Sequence, residues 1–92
     1  MELFEWDEAK NEYNQKAHKI SFEYSQRVFL DPKRLIAKDE AQSKTEERLF
    51  CIGKIDNKII TARFTYRNEK IRILGAGFWR KGRKAYEKEN RI

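Results

Sequence analysis

From Arg48 onward the chain alternates with a period of two, and this pattern limits the fold more than any other feature. Leu49-Phe50-Cys51-Ile52-Gly53-Lys54-Ile55 reads as one strand. Asp56-Asn57-Lys58 turns the chain. Ile60, Ala62, Phe64 and Tyr66 then alternate with Thr61, Arg63, Thr65 and Arg67, the mark of a half-buried strand. Asn68-Glu69-Lys70 turns it again. Ile71-Arg72-Ile73-Leu74 makes a third strand, ending at Gly75-Ala76-Gly77. Three strands joined by short turns form an antiparallel meander.

The first half supplies the layer that covers the meander. Phe4-Glu5-Trp6 alternates briefly and suits an edge strand. Asp7 is placed to cap a helix over Asp7–Ala17, with Trp6, Ala9, Tyr13 and Ala17 spaced as its apolar stripe. His18-Lys19-Ile20 breaks this helix. Ser21 caps a second one, with an apolar side of Phe22, Ser25, Val28 and Phe29, and Asp31-Pro32 ends it. Residues 33–47 read as a polar loop with room for one short strand at Leu35-Ile36-Ala37. A last helix is expected from Trp79 to Asn90, weakened locally by Gly82. The expectation is one α+β domain over residues 1–92, in the order β-α-α-β-β-β-α, with an antiparallel sheet packed on helices.

Charge is unevenly distributed along the chain. Residues 1–62 hold 11 Lys and Arg against 12 Asp and Glu, whereas residues 63–92 hold 10 against 3. A basic last third within a net charge of +6 points to an anionic partner, nucleic acid being the commonest. No apolar run approaches the ~18 residues of a membrane span, and the acidic N-terminus lacks the pattern of a signal peptide. The chain is therefore expected in the cytoplasm, away from membranes. One His and one Cys do not suffice for a transition-metal site, so neither metal nor cofactor is expected. Cys51, between Phe50 and Ile52, reads as a buried free thiol. Phosphate-cradling glycine loops, HExxH and GxSxG are all absent, which disfavours nucleotide-triphosphate chemistry and a serine triad.

Arg63 and Arg67 share the face of their strand opposite Ile60, Ala62, Phe64 and Tyr66, and are expected to be exposed there. Arg72 joins them if it points the same way, beside the basic last helix with Arg80, Lys81, Arg83 and Lys84. Guanidinium groups on a rigid sheet suit phosphate, since the planar fork binds two oxygens at once. An ordinary solvated basic face fits the same pattern. His18 is either a proton carrier near neutrality or a capping residue. Glu46-Glu47-Arg48 is either a general base with its charge partner or a surface salt-bridge cluster.

Phe4-Glu5-Trp6-Asp7-Glu8-Ala9-Lys10-Asn11, then Asn14, His18, Ile20 and Ser21-Phe22-Glu23, resembles the opening of the BrnT toxin family. Val28-Phe29, Asp31-Pro32, Glu46-Glu47-Arg48, Gly53, Arg67 and Ile71-Arg72-Ile73 extend the resemblance over nearly the whole chain. It departs at Ala17-His18-Lys19, where the family often has Lys-His-Gly, and at Gly75-Ala76-Gly77, where it often has Ser-Ala-Arg. The Gly-Ala-Gly and Trp79-Arg80-Lys81-Gly82 pattern resembles a subgroup of the family, and Arg80 stands as the replacement for the missing Arg. The resemblance implies a RelE-like fold and a ribonuclease that blocks translation. It also implies neutralisation by a BrnA-like antitoxin whose DNA-binding region brings the complex to operator DNA.

On that reading RNA is cleaved without metal, by attack of the ribose 2′-OH on the adjacent phosphate. Arg48, Arg67 and Arg80 are the candidates for charge stabilisation, and His18 or Glu47 for proton transfer. Arg63, Arg72, Lys81, Arg83 and Lys84 are the candidates for RNA binding. Two other classes fit the residues: a non-catalytic nucleic-acid-binding or repressor subunit, and a module whose basic helix docks on an acidic partner.

Overall fold

Phe4–Trp6 forms the first strand, β1, and Asp7 caps the helix that follows, α1 (Glu8–His18). The Asp7 carboxylate accepts from the Ala9 and Lys10 N–H groups at 2.8 and 3.2 Å. The computed structural model describes residues 3–92. Lys19 ends α1 in the left-handed conformation. Ser21 caps α2 (Phe22–Ser25), which tightens into a 3₁₀ turn over Gln26–Leu30 before Pro32. Then come β2 (Leu35–Lys38), β3 (Leu49–Ile55), β4 (Lys58–Arg67), β5 (Lys70–Gly77) and α3 (Arg80–Asn90).

Both hairpins of the meander are two-residue turns with positive φ, at Asp56-Asn57 and at Asn68-Glu69. That geometry matches the twist of the strands it joins. The sheet order is β1-β5-β4-β3-β2. The expected antiparallel sheet is corrected in one place: β1 runs parallel to β5, so the sheet is mixed. A three-residue alternation reveals a strand but carries no direction. The long excursion through two helices and three strands separates β1 from β5, and parallel neighbours require a crossover of this kind.

Phe22, Val28, Cys51, Ile60, Phe64 and Ile73 form the heart of the core, between the sheet and the α2 layer. Phe29 meets Phe4 and Phe64 at ring-centroid distances of 5.4 and 5.0 Å. Tyr66, expected on this face, rests its ring on Phe64 but is 62% exposed, because β4 outruns the helices there.

The apolar stripe expected on α1 does not face the core: Tyr13 is 69% exposed, and Ala9 and Ala17 also face solvent. The buried side is amide. Asn14 donates to the Ala76 carbonyl at 3.0 Å and accepts from the Ala76 N–H at 3.2 Å. It also donates to the Ile20 carbonyl at 2.9 Å. Its side chain thus continues the ladder on β5 beyond the point where β1 has ended. Asn11 accepts from the Phe22 N–H at 2.9 Å, locking α1 to α2. Buried backbone groups must find partners, and here asparagines supply them.

Helix α3 crosses the opposite face of the sheet. Gly82 is the crossing point: a Cβ there would fall on Thr61 Oγ1 and within 3.6 Å of Ile52. One turn further along the same face, α3 is anchored by the Tyr86 hydroxyl, which donates to Asp31 at 2.6 Å.

Candidate nucleic-acid interface

Where α3 leaves the sheet uncovered, four arginines surround Thr65. Arg63 and Arg67 lie two residues to either side on β4, and Arg72 stands directly opposite on β5. The Thr65 hydroxyl donates to the Glu47 carbonyl at 2.6 Å, which fixes the approach to β3 and brings Arg48 to the same region. Two of these arginines are firmly paired. Arg67 contacts both carboxylate oxygens of Glu46 at 2.9 and 3.1 Å. Arg72 meets Glu5 at 3.2 Å. Arg48 is 4.0 Å from Glu46.

Of the acidic pair singled out in the sequence, it is Glu46 that meets the arginines. Glu47 contributes its carbonyl, and its exposed carboxylate lies 4.0 Å from Lys38.

Arg63 differs from its neighbours. It is half-buried rather than exposed as expected, because its guanidinium lies down over Gly75, with Nη2 3.6 Å from where a Cβ would stand. A bulge makes this possible. Arg63 pairs with Gly75 and Phe64 with Ile73, so Leu74 is skipped and a residue without a side chain faces the arginine. Among the described residues Arg63 makes no ion pair, and the Nε atoms of Arg63 and Arg48 are buried without a hydrogen-bond partner.

The remaining candidates stand at the other end of the sheet. His18, the last residue of α1, makes no side-chain hydrogen bond among the described residues. Its ring packs edge-on against Trp79 at 5.5 Å. Trp79 in turn lies over Gly77, where a Cβ would come within 2.8 Å of the indole. Arg80, Lys81, Arg83 and Lys84 are exposed on α3, with Arg83 3.4 Å from Glu87. Thr61 pairs with Gly77 and Arg67 with Lys70. The six residue steps of strand from Thr61 to Arg67 span about 20 Å. The structure therefore does not bring His18 and Arg67 to one phosphate, and Arg63 lies between the two groups.

Burial pushes the Cys51 thiol up to about 12, so no thiolate nucleophile is available there. Among the described residues no three His, Cys, Asp or Glu side chains gather in a metal-binding cluster. No helix among them is long and apolar enough to cross a membrane.

Asp31, read in the sequence only as a helix stop and as part of the resemblance, has a structural role that the sequence did not reveal. Its carboxylate accepts from Tyr86 and from the Lys54 and Lys33 N–H groups, the last two at 2.8 Å. Burial alone would raise its pKa, but these donors outweigh it and hold the carboxyl below its ordinary value. Burial, with the Asp31 charge beside it, raises the Tyr86 hydroxyl to about 12.

The model of one protein family, described as ribonuclease toxin, BrnT, of type II toxin–antitoxin system, matches residues 6–89. The chain belongs to this family. No curated protein matches it. Asn11, Asn14 and Asp31, which opened the resemblance or extended it, hold the BrnT-family fold together by the hydrogen bonds described above. Membership brings with it an antitoxin partner and a ribonuclease toxin's activity at the level of the family.

Proposed function

We propose that this BrnT-family chain cleaves RNA without a metal ion, on the arginine face around Thr65. The carrying observation is Arg63, a guanidinium laid on a rigid sheet over Gly75 with no carboxylate partner among the described residues, flanked by Arg48, Arg67 and Arg72. The 2′-oxygen bonds to phosphorus, the bond to the 5′-oxygen breaks, and a 2′,3′-cyclic phosphate and a 5′-hydroxyl result. Arg63, Arg48 and Arg67 stabilise the charge that develops on the phosphorane. Glu46, the carboxylate that stands among the arginines, takes the 2′-OH proton, and water protonates the leaving oxygen. Arg72, Lys81 and Lys84 contact the flanking backbone, with Arg83 contributing less because of Glu87. His18 and Arg80 act beside the neighbouring nucleotide. The chain works in the cytoplasm, blocks translation, and is neutralised by a BrnA-like antitoxin that links the complex to operator DNA.

Purified protein is expected to cut RNA in EDTA at an undiminished rate and leave cyclic-phosphate ends. Arg63→Ala should lower the rate a hundredfold or more, the scale for loss of one donor to a developing oxyanion. Arg63→Lys should recover it in part, keeping charge but losing the fork. Activity that is lost in EDTA and restored by a divalent ion would refute the mechanism. An Arg63→Ala variant that melts normally and cuts at the parental rate would move the site elsewhere.

A further inference from the structure

The arginine face ends at a groove of about 630 Å³, of whose lining the cleavage mechanism uses only Lys81, at the rim. Its floor is Phe50, Ile52 and Thr61, and its walls are Ala37 and Ala41 on one side and Trp79 with Ala85 of α3 on the other. Trp79 is 38% exposed although it belongs to this apolar lining. Phe50 is the direct cross-strand neighbour of Arg63, so the groove and the free guanidinium adjoin on one face.

Two glycines set their spacing. Gly75 lies beneath the Arg63 guanidinium and Gly77 beneath the Trp79 indole. Residues two apart on a strand share a face and stand about 7 Å apart. A cationic fork and an aromatic ring are thus presented side by side, at the scale of one nucleotide's reach from phosphate to base. The groove also carries hydrogen-bond acceptors. Asp39 and Glu40 line the groove, and an ionised carboxylate only accepts hydrogen bonds. Lys38 and Lys81 line it as well and balance their charge, so the carboxylates act as acceptors that favour an edge rich in N–H groups.

We infer that the groove beside Trp79 is a nucleobase pocket, taking a base with an exocyclic amino group whose own phosphate lies on Arg63. This rests on the RNA reading above and adds the part of the substrate that gives sequence preference. Single-stranded RNA is commonly read in this way, with bases stacked on aromatic side chains while the backbone follows positive charge.

The test is binding of 2′-O-methylated six-residue oligomers, which cannot be cleaved, by fluorescence anisotropy with the full chain. Oligo-adenosine should bind about tenfold or more tighter than an abasic oligomer of the same backbone, as expected for stacking. Trp79→Ala should reduce that ratio to within twofold while leaving abasic binding unchanged, and Trp79→Phe should restore part of it. Ala41→Leu, at an exposed position, should reduce the ratio in the same way by filling the groove from its other wall. Arg63→Ala should weaken both oligomers equally. If Trp79→Ala and Ala41→Leu leave the ratio at the parental value, the pocket is refuted while RNA binding stands. Oligo-uridine binding as tightly as oligo-adenosine would refute the role of the carboxylates. If the parent binds neither oligomer, the RNA reading itself falls.

Discussion

Gly82 offers a direct test of how α3 is seated. Judged as helix chemistry, Gly82→Ala should stabilise the protein, because alanine is favoured over glycine in a helix interior by about 1 kcal/mol. The structure reverses that sign. An added Cβ falls on Thr61 Oγ1 and comes within 3.4 Å of Thr61 Cβ, which belongs to the sheet and cannot move aside as a surface side chain would. Forcing a methyl into a closed contact typically costs about 1–3 kcal/mol. The net expectation is a loss of up to about 2 kcal/mol after the gain in helix propensity. In a domain this size each kcal/mol moves the midpoint by about 4–8 °C. Thermal and urea unfolding should both show the loss. Thr61→Ala removes the hydroxyl that the new methyl strikes, and that hydroxyl has no hydrogen-bond partner to lose. In the double variant the helix gain should reappear, giving a coupling of more than about 1 kcal/mol in a double-mutant cycle. If Gly82→Ala alone is more stable than the parent, or if the two changes are additive, α3 does not sit on β4 as described.

Asn14→Leu should cost about 3 kcal/mol or more in urea unfolding. It strands the Ala76 N–H, the Ala76 carbonyl and the Ile20 carbonyl in the interior, and each unsatisfied buried group costs ~1–3 kcal/mol. Asp31 predicts a pH dependence. Its folded pKa is lowered, so it contributes stability above the unfolded value, and that contribution is lost as pH falls through the folded value. Asp31→Asn should therefore be less stable than the parent at neutral pH, by about 1.5–3 kcal/mol for hydrogen bonds to a charged group. The gap should close below about pH 4, near the ordinary carboxylate value. A gap that stays constant down to pH 2 would show that the Asp31 charge is not what matters.

The meander could be read from the sequence because every level of the code agrees there. Ile60, Ala62 and Phe64 alternate with polar residues, and the asparagines at 57 and 68 accept the positive φ that tight hairpins demand. The face of α1 could not be read in the same way. Hydrophobic periodicity detects buried carbon, whereas α1 buries two asparagines and turns Tyr13 outward. Asn14 substitutes for a strand, and the signal for that is the free backbone of Ala76, sixty-two residues away. Asp31 was hidden for the same reason. Next to Pro32 it has the appearance of a helix stop, and its three donors come from α3, β3 and the turn that follows it.

The candidate site divides along the same line. Parity on β4 placed Arg63 and Arg67 on one face, which the structure bears out. The depth of Arg63, the pairing of Arg67 with Glu46 and the distance from His18 depend on register and on a bulge at Leu74 that leaves no mark in β4. The two glycines of β5 have the most consequence. In the sequence they look like a strand running out, and Gly77 looks like the loss of an arginine that the family often carries. In the fold Gly77 clears space for the Trp79 indole, where a Cβ would collide, while Gly75 lies in ordinary contact beneath the Arg63 guanidinium. Any side chain at residue 77 would collide with that ring, so an arginine there and Trp79 in its present place exclude one another. The positive charge instead falls on either side of the ring, at Arg63 and Arg80. An arginine beside an aromatic ring sets a charge suited to a phosphate next to a face suited to stacking a base.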